Sequence, residues 1–399
     1  MEVSKMAITV LEEETVTTKE MDVEVEDKLT TGQADEEIAF KYAITSYGAD
    51  YDVAGLVQRL KREDIIVPEF QRNYVWNQAD ASRFIESLLL GLPVPGIFLS
   101  KNDKQQLLVI DGQQRLKSLE YFYEGLFGEK EEDGKTGSSQ NGSRRQARRE
   151  FALSLDEKSP FNGQTYRSLS TETRRHLDNS IIHATVVKQE EPSDDQSSIY
   201  LIFERLNRGG RVLQPQEIRA CIYQGKFNAL LQELNQDECW REIFGKKHSR
   251  MKDQELILRF LALRYQDEKS KIDGKSKYER PMKEFLNKYM SMNRELALES
   301  KDQIKNAFTQ TISFAKRVFG ERAFKPEKVL NAAVFDAVMV GLAERLKQGV
   351  IEDESAALDA YQSLISNEEF AEKCRRATAN EDSVRDRIRL ATDAFIKLK

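Results

Sequence analysis

Cysteine and histidine are scarce in this sequence, and their scarcity excludes several kinds of site. Three cysteines (Cys221, Cys239 and Cys374) and three histidines are present among 399 residues. An odd, scattered set of thiols does not build a disulfide framework, and neither residue type is frequent enough for a zinc cage or a multi-histidine metal site. The low cysteine content favours a reducing, cytoplasmic compartment.

Long apolar runs are also missing. The longest, Ser87–Leu92 and Val338–Ala343, are far shorter than the roughly 18 residues of a membrane span. The first residues have neither a long apolar core nor a small-residue cleavage site, so we expect no secretory signal and no membrane partner. With 40% hydrophobic and 32% charged residues, the chain is expected to be soluble and to form more than one domain.

Residues 1–40 are predicted to be an acidic, disordered leader. Residues 1–37 contain twelve acids, three bases and no aromatic side chain, a balance of −9. Because the whole chain has a net charge of −6, residues 38–399 are left mildly basic at +3. Two interpretations of the leader stay open: a solubilising tail, or a mimic of nucleic acid that screens a basic groove.

Residues 41–195 are predicted to form a small α+β domain. Asn77 and Asp80 have the spacing of a capping box before a helix that ends near Gly91. Residues 129–149 are rich in Gly, Ser and charge and are predicted to be a mobile loop. The loop ends in four arginines within residues 144–149, which suit either phosphate or solvent. Strands are predicted at Asp64–Val67, Gly96–Ser100, Leu107–Ile110, Phe151–Leu155 and Ile182–Lys188.

Residues 196–399 are predicted to form an all-α domain, because apolar residues recur at three- and four-residue spacing. The predicted helical segments are Leu213–Tyr223, Phe227–Leu234, Asp253–Tyr265, Pro281–Ser291, Asp302–Val318, Leu330–Gln348, Glu354–Ser366 and Ser383–Leu398.

The most informative motif is Asp111-Gly112-Gln113-Gln114-Arg115, where a predicted buried strand turns directly into a helix. Such a junction gathers free backbone N–H groups and the positive end of the helix dipole, which bind anions. Gly112 permits close approach of a ligand, and the planar guanidinium of Arg115 suits a phosphate. Asp111 could hold a hydrated Mg²⁺ or cap the helix. The structural alternative is a capping aspartate beside a surface arginine.

A second motif, residues 68–76, interleaves aromatic and polar side chains. Phe70, Tyr74 and Trp76 alternate with Gln71, Arg72 and Asn73, a mixture that suits a nucleotide or an unstacked base. The alternative is that the aromatic rings belong to the core and that only Arg72 is exposed.

Together these motifs resemble the ParB/sulfiredoxin-like family known as domain of unknown function 262, which includes the S half of the GmrSD type IV restriction systems. A third stretch, Ile202–Gly210 followed by Leu213–Arg219, resembles the segment after the core of that family. Asn331–Asp336 and Ser383–Ile388 resemble its helical tail. The resemblance covers roughly residues 45–395.

The resemblance implies a ParB-like domain that binds and hydrolyses NTP with Mg²⁺ and controls an attack on foreign DNA. The implied partners are a nucleotide, DNA and a nuclease subunit, and a homo-oligomer is left open. Asn-Arg-Gly-Gly at 207–210 could close over the nucleotide or simply end a helix. The implied catalytic residues are Asp111 (also the metal ligand), Gln113, Gln114 and Arg115, and the implied nucleotide-binding residues are Gln71, Arg72, Asn73, Tyr74, Trp76, Gly112, Arg115, Asn207, Arg208, Gly209 and Gly210.

One departure concerns DNA cleavage. Many relatives carry an HNH-type nuclease, which needs histidines, whereas His248 is the single histidine after residue 190. An HNH module is therefore not visible, and His248 in its basic run is interpreted as a surface or DNA-backbone residue. Two alternatives to an NTPase remain: a non-catalytic DNA-binding regulatory module, and a nickase that uses the Asp111 region.

Overall fold

The computed structural model describes residues 25–26, 43–67, 74, 76–101, 105–128, 148–191, 197–206, 213–273, 278–376 and 378–399. Among these residues the strands are β1 Val25–Glu26, β2 Ala43–Asp52, β3 Ile65–Ile66, β4 Ile97–Lys101, β5 Leu107–Asp111, β6 Leu126–Phe127, β7 Arg149–Glu150, β8 Ile181–Glu191 and β9 Leu330–Asn331. The helices are α1 Val53–Lys61, α2 Gln78–Leu89, α3 Gln113–Glu124, α4 Thr171–Asp178, α5 Ser197–Leu206, α6 Pro215–Ile222, α7 Lys226–Leu234, α8 Glu238–Phe244, α9 Lys252–Asp273, α10 Met282–Met292, α11 Lys301–Phe319, α12 Ala332–Leu346, α13 Glu354–Ser366, α14 Glu368–Arg375 and α15 Glu381–Phe395. None of these helices combines the length and apolar character needed to cross a membrane.

A mixed five-stranded sheet organises the N-terminal region, in the order β2-β8-β4-β5-β3. β8 pairs antiparallel with β2 and parallel with β4, while β5 pairs antiparallel with β4 and parallel with β3. Because β3 and β5 are parallel, their carboxyl ends lie at the same edge of the sheet. That edge is where the two sequence motifs begin.

The two faces of the sheet belong to two different cores. Leu99 and Val109 point into a core shared with helices α1 to α4. Their neighbours Phe98 and Ile110 join the large core of the C-terminal helices, against which α5 is packed. Successive side chains of a strand point to opposite faces, so one strand serves both cores. The predicted fold class, an α+β region followed by an all-α region, is confirmed.

Local signals located most elements correctly. Asn77 caps α2 and forms the predicted capping box with Asp80. Each of the eight predicted segments of the C-terminal region contains a helix, although α5, α8 and α14 were not anticipated. In the N-terminal region, β2, α1 and α4 were not anticipated either. The predicted boundary near residue 195 falls within residues 192–196, outside the described residues.

The predicted strand Phe151–Leu155 is wrong. Phe151 and Leu153 alternate into the core as a strand would, but no ladder forms there. Instead the Phe151 N–H donates to Gly125 O at 3.0 Å, and Leu153 exchanges bonds of 2.8 Å with the turn at Gly163 and Gln164. The alternation of buried and exposed side chains therefore comes from the packing of an extended segment and not from pairing in a sheet. The sequence also predicted Arg148 and Arg149 to lie in the mobile loop. In the structure Arg148 forms an ion pair with Glu124, and Arg149 belongs to strand β7.

Helix α12 lies at the centre of the helical region. Almost every one of its residues is buried, and it packs against α9, α11 and α15. A helix that is apolar on all sides requires such surroundings. Gly341 allows α15 to approach closely, because a Cβ there would lie 2.7 Å from the carbonyl carbon of Ala391.

A fully buried ion cluster joins three of these helices. Asp336 of α12 accepts from Arg259 Nε of α9 at 3.1 Å and from Arg387 Nη2 of α15 at 3.2 Å. Arg387 also donates to Thr378 O at 2.6 Å. All three charged side chains are at most 1% exposed. Two cations share one anion, so the carboxylate of Asp336 offsets the desolvation cost of both buried guanidinium groups.

We predict that Asp336→Asn lowers the free energy of unfolding by about 3–5 kcal/mol, because it leaves two buried guanidinium groups without a counter-charge. Urea unfolding followed by circular dichroism measures the loss. Asp382→Asn is the matched control, since Asp382 pairs with Arg385 at the surface with both side chains more than 60% exposed. That control should change stability by less than about 1 kcal/mol. Equal stability of the two variants would contradict the role given to Asp336.

The acidic leader contacts the helical region at one described point. Val25 and Glu26 pair in parallel with Leu330 and Asn331. Val25 packs against the helical core, and Asn331 Nδ2 donates to Glu26 Oε2 at 3.1 Å. Asn331 Oδ1 simultaneously caps α12. This pairing was not foreseen from the sequence, and both interpretations of the leader stay predictions.

Candidate functional site

Gly112 turns strand β5 into helix α3 within a single residue. It is the N-cap of α3 and has a left-handed backbone, with φ 103° and ψ 9°. A Cβ at this position would lie 2.4 Å from Cγ2 of Ile97 on the neighbouring strand. Glycine is therefore required twice, for its conformation and for the close approach to β4.

Gly112, the N-cap residue of α3, has no side chain and so makes no side-chain cap. The interpretation of Asp111 as the helix cap is therefore wrong, because the capping position is occupied by Gly112. The first N–H groups of a helix have no partner within the helix, and together with the helix dipole they attract an anion. The predicted junction of strand, glycine and helix is present, and anion binding there stays a prediction.

Asp111 instead pairs with Arg115. Arg115 Nη2 lies 2.6 Å from Asp111 Oδ2, with the arginine side chain 14% exposed and the aspartate 46% exposed. Nε of Arg115 is buried and has no hydrogen-bond partner among the described residues. The alternative of a surface arginine is not what the structure shows: Arg115 is held inside the junction, and Asp111 is its half-exposed counter-ion.

The two sequence motifs are in contact through α3. The Trp76 N–H donates to Gln114 Oε1 at 3.2 Å. The Tyr74 hydroxyl and Ser118 Oγ are 2.7 Å apart, and Ser118 Oγ donates to Gln114 O. Gln114 therefore fixes the end of the first motif against the helix that begins the second.

The rings of Tyr74 and Trp76 pack against other aromatic rings of the N-terminal region. Tyr74 makes edge contacts with Tyr121 and Phe127, and Trp76 makes one with Phe84. Burial raises the pKa of Tyr74 to about 12. Both rings pack against the N-terminal core, as the core alternative expected, and their role in stacking a base stays a prediction.

The remaining site residues divide into two groups. Gln113 is 9% exposed and lies at the start of α3, beside the junction. Seven others lie outside the described residues: Gln71, Arg72, Asn73, Asn207, Arg208, Gly209 and Gly210.

A buried polar network, not anticipated from the sequence, fixes the start of α6. Glu217 accepts from the Gln214 N–H at 2.6 Å and from Arg250 Nε at 2.9 Å. Arg219 donates to Glu255 at 3.0 Å and to Asn287 at 2.9 Å. The Gln-x-x-Glu spacing is a capping-box signal that could have identified Glu217.

A cleft of about 480 Å³ also escaped the sequence analysis. One wall is the N-terminal domain and the other is the first part of α7. Its lining residues are Leu60, Glu63, Ile65, Ile66, Val67, Lys117, Glu120, Gln224, Gly225, Asn228, Ala229 and Gln232. Val67 immediately precedes the first motif, so the cleft lies next to the predicted site.

His248 makes local packing and hydrogen-bond contacts. Its Nδ1 accepts from the Arg250 N–H at 3.0 Å, and its ring contacts Phe244. Within the described part of the chain, no group of three or more His, Cys, Asp or Glu side chains is placed to hold a metal ion.

Comparison with known protein families matches residues 53–224 to the family described as GmrSD restriction endonuclease, N-terminal domain. This part of the chain, 172 of the 399 residues, is similar to the GmrSD N-terminal domain. The match begins at α1 and continues through α6 into Gln224, so it includes β3 to β5 and the Gly112 junction. No curated protein matches the chain.

In the N-terminal region, we predict that Gly112→Ala distorts the junction. The substitution combines a left-handed backbone with a collision against Ile97, so we expect a stability loss of about 2–4 kcal/mol. Gly125→Ala is the matched control, because Gly125 ends the same helix at φ 77° with no atom within 4 Å of its added Cβ. Thermal unfolding compares the two, and equal losses would show that the approach to Ile97 carries no cost.

Proposed function

We propose that the chain is a Mg²⁺-dependent NTPase that acts in DNA-directed, restriction-like defence. One observation carries the proposal: the N-terminus of helix α3 and a mostly buried arginine meet at Gly112. The positive end of a helix dipole and a planar guanidinium together favour phosphate binding. The similarity of residues 53–224 to the GmrSD N-terminal domain is consistent with it.

The phosphates would bind at the N-terminus of α3. Arg115 pairs with Asp111 through Nη2, and its buried Nε has no hydrogen-bond partner among the described residues. A phosphate oxygen on this guanidinium would therefore satisfy a donor that now lacks an acceptor, at a position where the protein has already ordered the side chain. Binding would gain from this preorganisation.

Asp111 suits a Mg²⁺ that arrives with the nucleotide. Mg²⁺ is commonly held by one or two carboxylates together with substrate phosphates and water. Asp111 offers one half-exposed carboxylate beside the phosphate position, which fits this donor set. When bound, the ion supplies charge stabilisation to the phosphates.

For hydrolysis, a water oxygen attacks the terminal phosphorus and the bond from phosphorus to the bridging oxygen breaks. The leaving nucleoside diphosphate keeps the electron pair of that bond, while the attacking water keeps one proton on the phosphate that forms and releases the other to solvent. Arg115 stabilises the charge on the transferred group, and Asp111 accepts a hydrogen bond from the water. Gln114 acts as a positioning residue, because its Oε1 holds the Trp76 N–H, while Gln113 lines the junction.

DNA would be a partner of the folded region. Residues 38–399 have a net charge of +3, which favours weak, salt-dependent contact with the phosphate backbone. Cleavage needs a further centre, which we assign to a nuclease partner subunit.

We predict that Arg115→Ala weakens binding of NTP and of inorganic tripolyphosphate alike, by about 10- to 100-fold, because a charge-assisted hydrogen bond is lost. Isothermal titration measures both ligands. Arg83→Ala is the control, since Arg83 is an exposed arginine of the same domain, with its side chain 76% exposed. Unchanged affinity in a folded Arg115→Ala protein would refute the phosphate site.

We predict that Asp111→Asn keeps nucleotide binding but reduces phosphate release at least 10-fold, because the carboxylate charge is lost while the side-chain volume is kept. Phosphate release with each NTP, with and without plasmid DNA, measures the effect. The plasmid should stay intact with either protein. Nicking that Asp111→Asn abolishes would favour the nickase alternative, and cleavage that persists would locate a nuclease centre elsewhere in the chain.

A further inference from the structure

The cleft between the N-terminal domain and α7 has the features of a ligand site. Its volume of about 480 Å³ lies within the range of small-molecule pockets. Ile65, Ile66 and Val67 form an apolar side, and the amides of Gln224, Asn228 and Gln232 lie on the α7 side. The cleft thus has an apolar side on which a planar ring can lie and a polar side that can fix the orientation of the ring.

Asn228 is the residue that points to a ligand. It is 2% exposed, and its Oδ1 has no hydrogen-bond partner among the described residues. A buried acceptor without a donor is costly, so its retention inside a cleft indicates a donor supplied by a ligand.

The backbone around Asn228 is held firmly. The N–H of the preceding Phe227 donates to Arg294 O at 3.1 Å. At Gly225, a Cβ would approach the same carbonyl oxygen to 2.6 Å. The start of α7 is therefore packed directly on the backbone at Arg294, and the amide is offered from a fixed position.

The charges of the cleft select against phosphate. Glu63 and Glu120 are opposed by Lys117 alone among the charged lining residues, which leaves an excess of one negative charge. Carboxylates and an unpaired amide oxygen favour a group that donates N–H bonds. An amide, with one donor and one acceptor side, also matches the edge of a nucleobase.

The cleft lies at a suitable distance from the phosphate position. Lys117 and Glu120 follow Gln113 by four and seven residues on α3, or about 6 and 10 Å along the helix axis. Val67 comes directly after β3, whose last residue Ile66 pairs with Leu108, so Val67 lies beside the part of β5 that leads to Asp111. A nucleotide with its phosphates at Gly112 can thus extend its sugar and base along α3 into the cleft.

We propose that this cleft is the base-binding subsite of the nucleotide site and that Asn228 reads the edge of the base. The proposal rests on the proposed function and adds that the helical domain takes part in nucleotide recognition. The nucleotide would then contact α3 of one domain and α7 of the other.

The test compares Asn228→Leu with the wild-type full-length chain. Leucine has a similar volume and removes the buried acceptor, so the variant should fold with an equal or higher thermal midpoint. We expect its affinity for the preferred NTP to fall about 10- to 100-fold. Its affinity for tripolyphosphate should change less than about twofold. Isothermal titration with ATP, CTP, GTP, UTP and tripolyphosphate measures both effects.

Gln236→Ala is the matched control, because Gln236 is an exposed amide just after α7, and it should leave every affinity unchanged. Should Asn228→Leu fail to fold, Asn228→Asp keeps the acceptor and should shift the preference among the four bases. Unchanged NTP affinity and base preference, alongside an effect of Arg115→Ala, would overturn the subsite and leave the phosphate site standing. Absence of binding of both NTP and tripolyphosphate to the wild-type chain would overturn both.

Discussion

Strand β5 is the constraint on which the rest of this structure depends. Val109 is buried in one core and Ile110 in the other, so neither domain can pack without the same five-residue strand. A strand buried on both faces has little freedom to shift, because a slip of one residue would exchange its two faces. The strand ends at Asp111, where the phosphate junction begins. The chemistry is therefore attached to one of the most restrained segments of the chain.

The parts of the fold that depend on near neighbours in sequence could be predicted. The apolar run before Asp111-Gly112 predicted β5 and α3, and the Asn77–Asp80 spacing predicted the start of α2. β2 was missed because Ile44 and Tyr47 remain exposed, so its residues do not alternate between a buried and a wet face. Phe151–Leu155 was wrongly predicted as a strand for the converse reason. Its side chains do alternate, but the backbone of Leu153 bonds to the turn at Gly163 and Gln164 and not to a strand.

The candidate site divides in the same way. The junction at Gly112 could be predicted because strand, glycine and helix are adjacent in sequence. The burial of Arg115, its pairing with Asp111 and the bond between Gln114 and Trp76 depend on packing and could not. Asn228 gave no signal, since a polar residue on an amphipathic helix is usually expected to face solvent. Its burial depends on the packing of α7 against α9 and α11, which are distant in sequence.

The pairing of Val25–Glu26 with Leu330–Asn331 has a mechanical consequence. The chain leaves the helical region after Glu26 to enter the sheet at β2, and it returns from β8 to α5. The two domains are thus linked by two separate stretches of chain. Ile110 of β5 and Val187 of β8 are also buried in the helical core. Separating the domains would therefore expose apolar side chains of both strands to water, which opposes such a movement.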